Sequence, residues 1–144
     1  MAGKMNKTNI LFICKYNRFR SKVAEAYFKK ISKNKRINVT SAGIIEVNKP
    51  FTPKEKNRKR YIKKIFNLKV NSNSRGINAR LLESQERVII VADDVPKQIF
   101  NNWRWKDKVE IWKIKDESGN NKENINKIVR AIQIKVKKLS KQLK

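Results

Sequence analysis

Cys14-Lys15-Tyr16-Asn17-Arg18-Phe19-Arg20-Ser21 is the stretch whose residue types and spacing point to chemistry. It follows an apolar run, Asn9 to Ile13, and leads straight into a helical pattern. That order gathers successive backbone N–H groups and a helix N-terminus around one point, which makes an anion site. Five residues between cysteine and arginine let the loop curl around a tetrahedral oxyanion. Cys14 then sits beneath the anion and the Arg20 guanidinium grips two of its oxygens. Lys15, Tyr16, Asn17, Arg18, Phe19, Arg20 and Ser21 are the expected phosphate-binding set. Helix N-termini and nearby cations lower a thiol from ~8.5 to roughly 3.5–7.5, so Cys14 is expected to act as a thiolate nucleophile. Ser21 is placed to donate a hydrogen bond to that sulfur. Asn17 tolerates the left-handed backbone that a tight loop needs. The competing reading is an inert buried cysteine with Arg20 at the surface. The strand before, the helix after and the adjacent serine argue against it.

Composition removes several alternatives. The 144 residues contain no histidine and one cysteine. Ser-His and Cys-His pairs are therefore excluded, as is a tetrahedral zinc site of N and S ligands. No metal or organic cofactor is implied, and a general acid must come from the 12 carboxylates or from Tyr or Lys. One cysteine forms no internal disulfide, consistent with a reducing compartment. No apolar run approaches the ~18 residues of a membrane span. Met1 to Thr8 lacks the apolar stretch of a secretory signal, so the chain reads as cytoplasmic. The net charge of +25 attracts polyanions. A solvated lysine coat and a nucleic-acid surface explain that charge about equally well.

The surrounding elements read as one domain spanning 1–144, with residues 1–8 a flexible N-terminus. Asn9 to Ile13 reads as a strand buried on both faces. Arg20 to Ser32 is helical, with Val23, Tyr27 and Ile31 four apart beside Ala24 and Phe28. Ile37 to Ser41 alternates as a second strand, closed by Ala42-Gly43. Pro50 and Pro53 break the chain before a basic helix from Lys54 to Phe66, expected to bury Tyr61, Ile62, Ile65 and Phe66. The polar stretch from Lys69 to Arg80 has no assignable pattern. Arg87 to Ala92 is a third strand ended by Asp93-Asp94, followed by a short helix over Val95 to Asn101. Val109 to Ile114 is a fourth strand. After a polar loop from Asp116 to Asn121, the last helix carries one stripe of Ile125, Ile128, Val129, Ile132, Val136, Leu139 and Leu143. Asn120 and Glu123 form its expected capping box. The pattern predicts an α/β fold, a three-layer sandwich with a four-stranded parallel sheet and the anion-binding loop between first strand and first helix.

The stretch I-L-F-I-C-K-Y-N-R-F-R-S-K-V-A-E-A-Y-F resembles the low-molecular-weight protein tyrosine phosphatase family, whose loop reads C-x-G-N-x-C-R-S before M-A-E-A-x-F. Cys14, Asn17, Arg20, Ser21, Ala24, Glu25, Ala26 and Phe28 match. Ser41-Ala42-Gly43 matches the family's S-A-G, Ala79-Arg80 its A-R, and Val91-Ala92-Asp93-Asp94 resembles its V-M-D-E. The resemblance covers nearly the whole chain in order. It implies that Cys14 is the nucleophile, that Arg20 binds the phosphoryl group, and that Asn17, Ser21 and Ser41 form a supporting polar network.

In that family the general acid is an aspartate of an Asp-Pro pair, after the fourth strand. Asp116 holds that place, and Glu117, where the proline would be, is a rival acid. Tyr16 replaces the loop glycine and Phe19 replaces a second cysteine. The aromatic residues that wall the phosphotyrosine pocket are absent, with Glu117, Ser118 and Gly119 instead, and Phe51 is a candidate wall. The related thioredoxin-coupled arsenate reductases share the loop but relay a disulfide through further cysteines, which Cys14 alone cannot do.

These readings predict a phosphomonoester hydrolase, and specifically a protein tyrosine phosphatase working through a phosphocysteine. Its expected partners are a phosphorylated protein or a small aryl phosphate. The alternatives are an arsenate reductase-like protein or a basic nucleic-acid-binding module. The module reading rests on Lys54 to Lys64 and on Trp103 and Trp105 beside Arg104 and Lys106, where bases could stack. Packing of both tryptophans on the sheet edge is the plainer explanation. As an enzyme, the chain is expected to bind nucleic acid only weakly. Lys15 and Arg18 are expected to ring the pocket mouth, with Lys54, Lys56, Arg58, Lys59 and Arg60 adding a positive field.

Overall fold

A computed structural model describes residues 7–101, 104–117 and 119–143. Thr8–Cys14 forms strand β1, followed by helix α1 (Arg20–Ile31), β2 (Ile37–Gly43), α2 (Pro53–Phe66), α3 (Ala79–Glu83), β3 (Arg87–Val91), β4 (Val109–Trp112) and α4 (Lys122–Gln142). The strands pair in parallel in the order β2-β1-β3-β4. The chain leaves β1 toward β2 on one side, and β3 lies on the other. A crevice therefore opens beyond the carboxyl ends of β1 and β3, where Cys14 ends β1.

β1 is buried on both faces, and its alternation divides the core. Ile10 and Phe12 face a cluster with Val23 and Phe28 of α1, Ile62 of α2, and Ile125, Val129, Ile132 and Val136 of α4. Leu11 and Ile13 face Leu82 of α3 with Val88, Ile90, Val95 and Phe100. The sheet is thus the middle of three layers, as expected.

Several expectations need correction. Thr8 belongs to β1, its N–H donating to Arg36 O at 2.8 Å, so the ordered strand reaches into the proposed flexible terminus. Ile65 is exposed and Tyr61 and Phe66 are half-buried, because α2 turns only Ile62 fully into the core. The short helix expected over Val95 to Asn101 is a single 3₁₀ turn, Lys97–Phe100. Asn121, not Asn120, caps α4, accepting from Asn124 N, so the expected capping box does not form there. A capping box does form at α2: Thr52 Oγ1 accepts from Glu55 N, and Glu55 Oε1 from Thr52 N.

Candidate active site

Cys14 is 3% exposed at the end of β1, and the loop after it turns through Asn17, whose φ of 57° is left-handed. The residues just after β2 fix this turn from one side. Ile44 N donates to Cys14 O at 3.1 Å and Ile45 N to Lys15 O at 3.0 Å. Gly43 lets the two backbones meet; a Cβ there would lie 2.7 Å from Tyr16 C and 2.8 Å from Asn17 N.

The Asn17 amide organises the site. Its Oδ1 accepts from Arg75 N, which fixes the amide orientation, since a backbone N–H can only donate. Its Nδ2 donates to Ser21 Oγ at 2.8 Å and to Ser41 Oγ at 2.9 Å. Ser41 in turn donates to Glu25 Oε1 at 2.6 Å. Ser21 Oγ lies 3.0 Å from Cys14 Sγ. The Asn17 amide thereby holds the Ser21 hydroxyl against the sulfur, within reach to donate to a thiolate.

Arg20 is 2% exposed at the start of α1. Its Nη2 donates to Asp94 Oδ1 at 2.9 Å and its Nη1 to Ile114 O at 2.9 Å. Asp93 Oδ1 lies 3.7 Å from Nη1 and Asp116 Oδ1 3.6 Å from Nε. The aspartates therefore converge on a guanidinium. Among the described residues no group of His, Cys, Asp or Glu is arranged to hold a metal ion.

A cleft of about 230 Å³ is lined by Cys14, Tyr16, Phe19, Arg20, Arg58 and Asp116, among others. Asp116 and Glu117 both reach it, but the Glu117 carboxylate accepts from Gly119 N and from Asn124 Nδ2. Arg18 is no free cation at the mouth. Glu55 binds it through both oxygens, and the Lys49 and Pro50 carbonyls and Ser74 Oγ accept its remaining hydrogens. That pairing, aided by the Thr52 N–H, holds the Glu55 carboxyl at about 2, well below its ordinary value. Lys15 stands over the Tyr16 ring and does not line the cleft. Phe51 is buried beneath the Arg18 guanidinium and does not wall the cleft. Of the cations expected around the mouth, Arg18, Lys54 and Arg58 line it, while Lys56, Lys59 and Arg60 line a separate groove.

Sequence reasoning left Asp94, Glu25, Ser74 and Arg75 out of the site. Asp94 and Glu25 had a signal, because both stand in motifs that matched. Ser74 and Arg75 had none. Ser74 donates to Asn17 O and Arg75 Nε to Ser41 O from the stretch without periodicity. Lys22 lies close behind, donating to Asn71 Oδ1 and Asn73 O, and burial lowers it to about 8. Trp105 packs against the cluster around Leu11, Val88 and Phe100; Trp103 and Ser118 lie outside the described residues.

No curated protein matches this chain by sequence. Solved structures share its fold. A low molecular weight protein tyrosine phosphatase from T. tengcongensis superposes with a TM-score of 0.78 at 19% identity, over 94% of this chain and 99% of that one. An arginine phosphatase, YwlE, from Geobacillus stearothermophilus gives 0.77 at 18% identity, over 94% and 92%. An arsenate reductase from Archaeoglobus fulgidus gives 0.67 at 22%, over 91% and 98%. The family model described as low molecular weight phosphotyrosine protein phosphatase matches residues 9–144, and it is to this family that the chain belongs.

Proposed function

We propose that the protein hydrolyses phosphomonoesters through a phosphocysteine intermediate, with phosphotyrosine in proteins as the substrate class. Family membership supports phosphatase activity. The observation that carries the mechanism is the 3.0 Å contact between Cys14 Sγ and Ser21 Oγ, with the serine hydroxyl held there by Asn17. In the first step the Cys14 thiolate attacks phosphorus, forming the S–P bond as the P–O bond to the leaving group breaks. Asp116, as the neutral acid, gives its proton to the departing oxygen. Arg20 and the loop N–H groups hold the non-bridging oxygens. In the second step water attacks the phosphocysteine, Asp116 takes the water proton, and the sulfur leaves as a thiolate stabilised by Ser21.

Asp116 is favoured over Glu117 because the Glu117 carboxylate is already engaged by Gly119 and Asn124. The ring of Tyr16 at the cleft suits an aryl leaving group. Cys14 as the sole cysteine leaves an arsenate reductase without an internal disulfide relay. A lone thiol nucleophile suits a reducing compartment, and we place the protein in the cytoplasm.

The test is hydrolysis of 4-nitrophenyl phosphate and of peptides bearing phosphotyrosine or phosphoarginine, by wild type and Cys14→Ser. The serine hydroxyl is a far weaker nucleophile than a thiolate, so turnover should vanish while inorganic phosphate still binds. Phosphate should also protect wild type from iodoacetate. Turnover by Cys14→Ser near the wild-type rate would remove the nucleophile assignment. Faster cleavage of phosphoarginine than of phosphotyrosine would replace the substrate class.

A further inference from the structure

Arg58 differs from the other arginines of the cleft. It lies on α2, is 7% exposed, and its guanidinium stacks 4.4 Å above the Phe19 ring centroid. Its Nη1 donates to Glu117 O at 2.7 Å. Among the described residues it forms no ion pair, and its Nε and Nη2 find no acceptor.

None of the acids that surround it pairs with it. Glu55 spends both oxygens on Arg18. Asp116 Oδ1 faces Arg20 Nε, and the Glu117 carboxylate turns to Gly119 and Asn124. Burial lowers Arg58 from its ordinary value, while the fields of Asp116, Glu55 and Glu117 oppose the shift. An arginine nevertheless stays charged in a protein, so the helix holds a largely desolvated cation against the cleft. Leaving such a charge unpaired is costly, and an oxyanion of the right reach would relieve the cost. The stack on Phe19 keeps the planar fork rigid, with its Nε and Nη2 edge available for a bidentate oxyanion. Cys14 and Lys54 line the same cleft, and Lys54 lies one helical turn before Arg58 on the same face.

We propose that Arg58 is a specificity-determining residue that pairs with a second anionic group, a carboxylate or a phosphate, carried by the leaving group of the substrate. The proposal rests on the phosphatase reading above. It selects acidic phosphomonoesters over neutral ones at the cleft itself, independently of the general positive charge.

Matched probes test it: phenyl phosphate against its 2-, 3- and 4-carboxyphenyl analogues for turnover, and phenylphosphonate against the carboxyphenylphosphonates for binding by calorimetry. Wild type should bind at least one carboxylated phosphonate more tightly than the neutral one. That preference, and the corresponding kcat/KM ratio, should fall roughly tenfold or more in Arg58→Gln and only partly in Arg58→Lys. The ratio cancels changes common to both substrates. If both substrates lose rate together, Arg58 merely positions the Glu117 backbone and the proposal fails. Should the glutamine variant not fold, wild type alone decides, because equal affinity for neutral and carboxylated phosphonates overturns the assignment. The binding arm needs no turnover. A protein without phosphatase activity would sink the proposed function, and the calorimetry would still judge Arg58.

Discussion

Glu55 holds Arg18 with both carboxylate oxygens, Oε1 to Nη2 at 2.6 Å and Oε2 to Nε at 2.9 Å, and the same Oε1 accepts the Thr52 N–H that opens α2. One side chain thus caps a helix and clamps the anion loop. Its carboxyl sits at about 2 in the folded protein against 4.5 ordinarily. A depressed carboxylate contributes stability that is present above the unfolded value and is lost as pH falls. The stability advantage of wild type over Glu55→Gln should therefore be full above pH 4.5 and shrink toward pH 2. Denaturant midpoints of both proteins across that window check this. A constant difference would mean that the pair contributes nothing beyond packing.

Asp116→Asn should slow hydrolysis of phenyl phosphate by about 10²–10⁴. The deficit should shrink for leaving groups of low pKa, such as 4-nitrophenolate, which depart without a proton. A Brønsted plot for wild type, Asp116→Asn and Glu117→Gln separates the two carboxylates. If only Glu117→Gln steepens the plot, the acid is Glu117.

Gly43→Ala places a methyl group 2.7 Å from the carbonyl carbon of Tyr16, so the loop backbone has to move. Displacing a reacting group by about 1 Å can cost about 10²-fold in rate, and a loss of that order in kcat/KM is expected. The melting temperature reports the accompanying destabilisation. An alanine variant with wild-type kinetics would show that the loop does not depend on this close approach.

Lys22 titrates at about 8 in the folded protein, against 10.5 ordinarily, because burial disfavours its charge. Between those values the unfolded chain binds more protons, so stability rises with pH. The stability of wild type relative to Lys22→Met should therefore improve from pH 8 to pH 10.5. Subtracting the two unfolding curves cancels the many other lysines. A difference that worsens with pH would contradict the burial argument.

The parts that were legible in the sequence carry their own signal. The apolar run of β1, the stripe of α4 and the Cys14 to Ser21 spacing are local patterns, and each became the expected element. Residues 69–80 were illegible because their order is borrowed: Gly76 bridges Gly43, while Ser74 and Arg75 bond Asn17. The pairing of Arg18 was hidden because its partner lies 37 residues away. Arg58 was hidden in a run of lysines, where composition cannot show that one cation of the run is buried on an aromatic ring.

The Asn17 network also has a thermodynamic consequence. Arg75 N fixes which end of the amide is oxygen, so the amide donates to both Ser21 and Ser41, and Ser41 donates on to Glu25. The fold therefore holds this set of side chains in one arrangement, with Ser21 Oγ against Cys14 Sγ. Its dipoles are aligned when the chain folds and need not be reoriented as charge develops on sulfur, which lowers the reorganisation required at the moment of reaction.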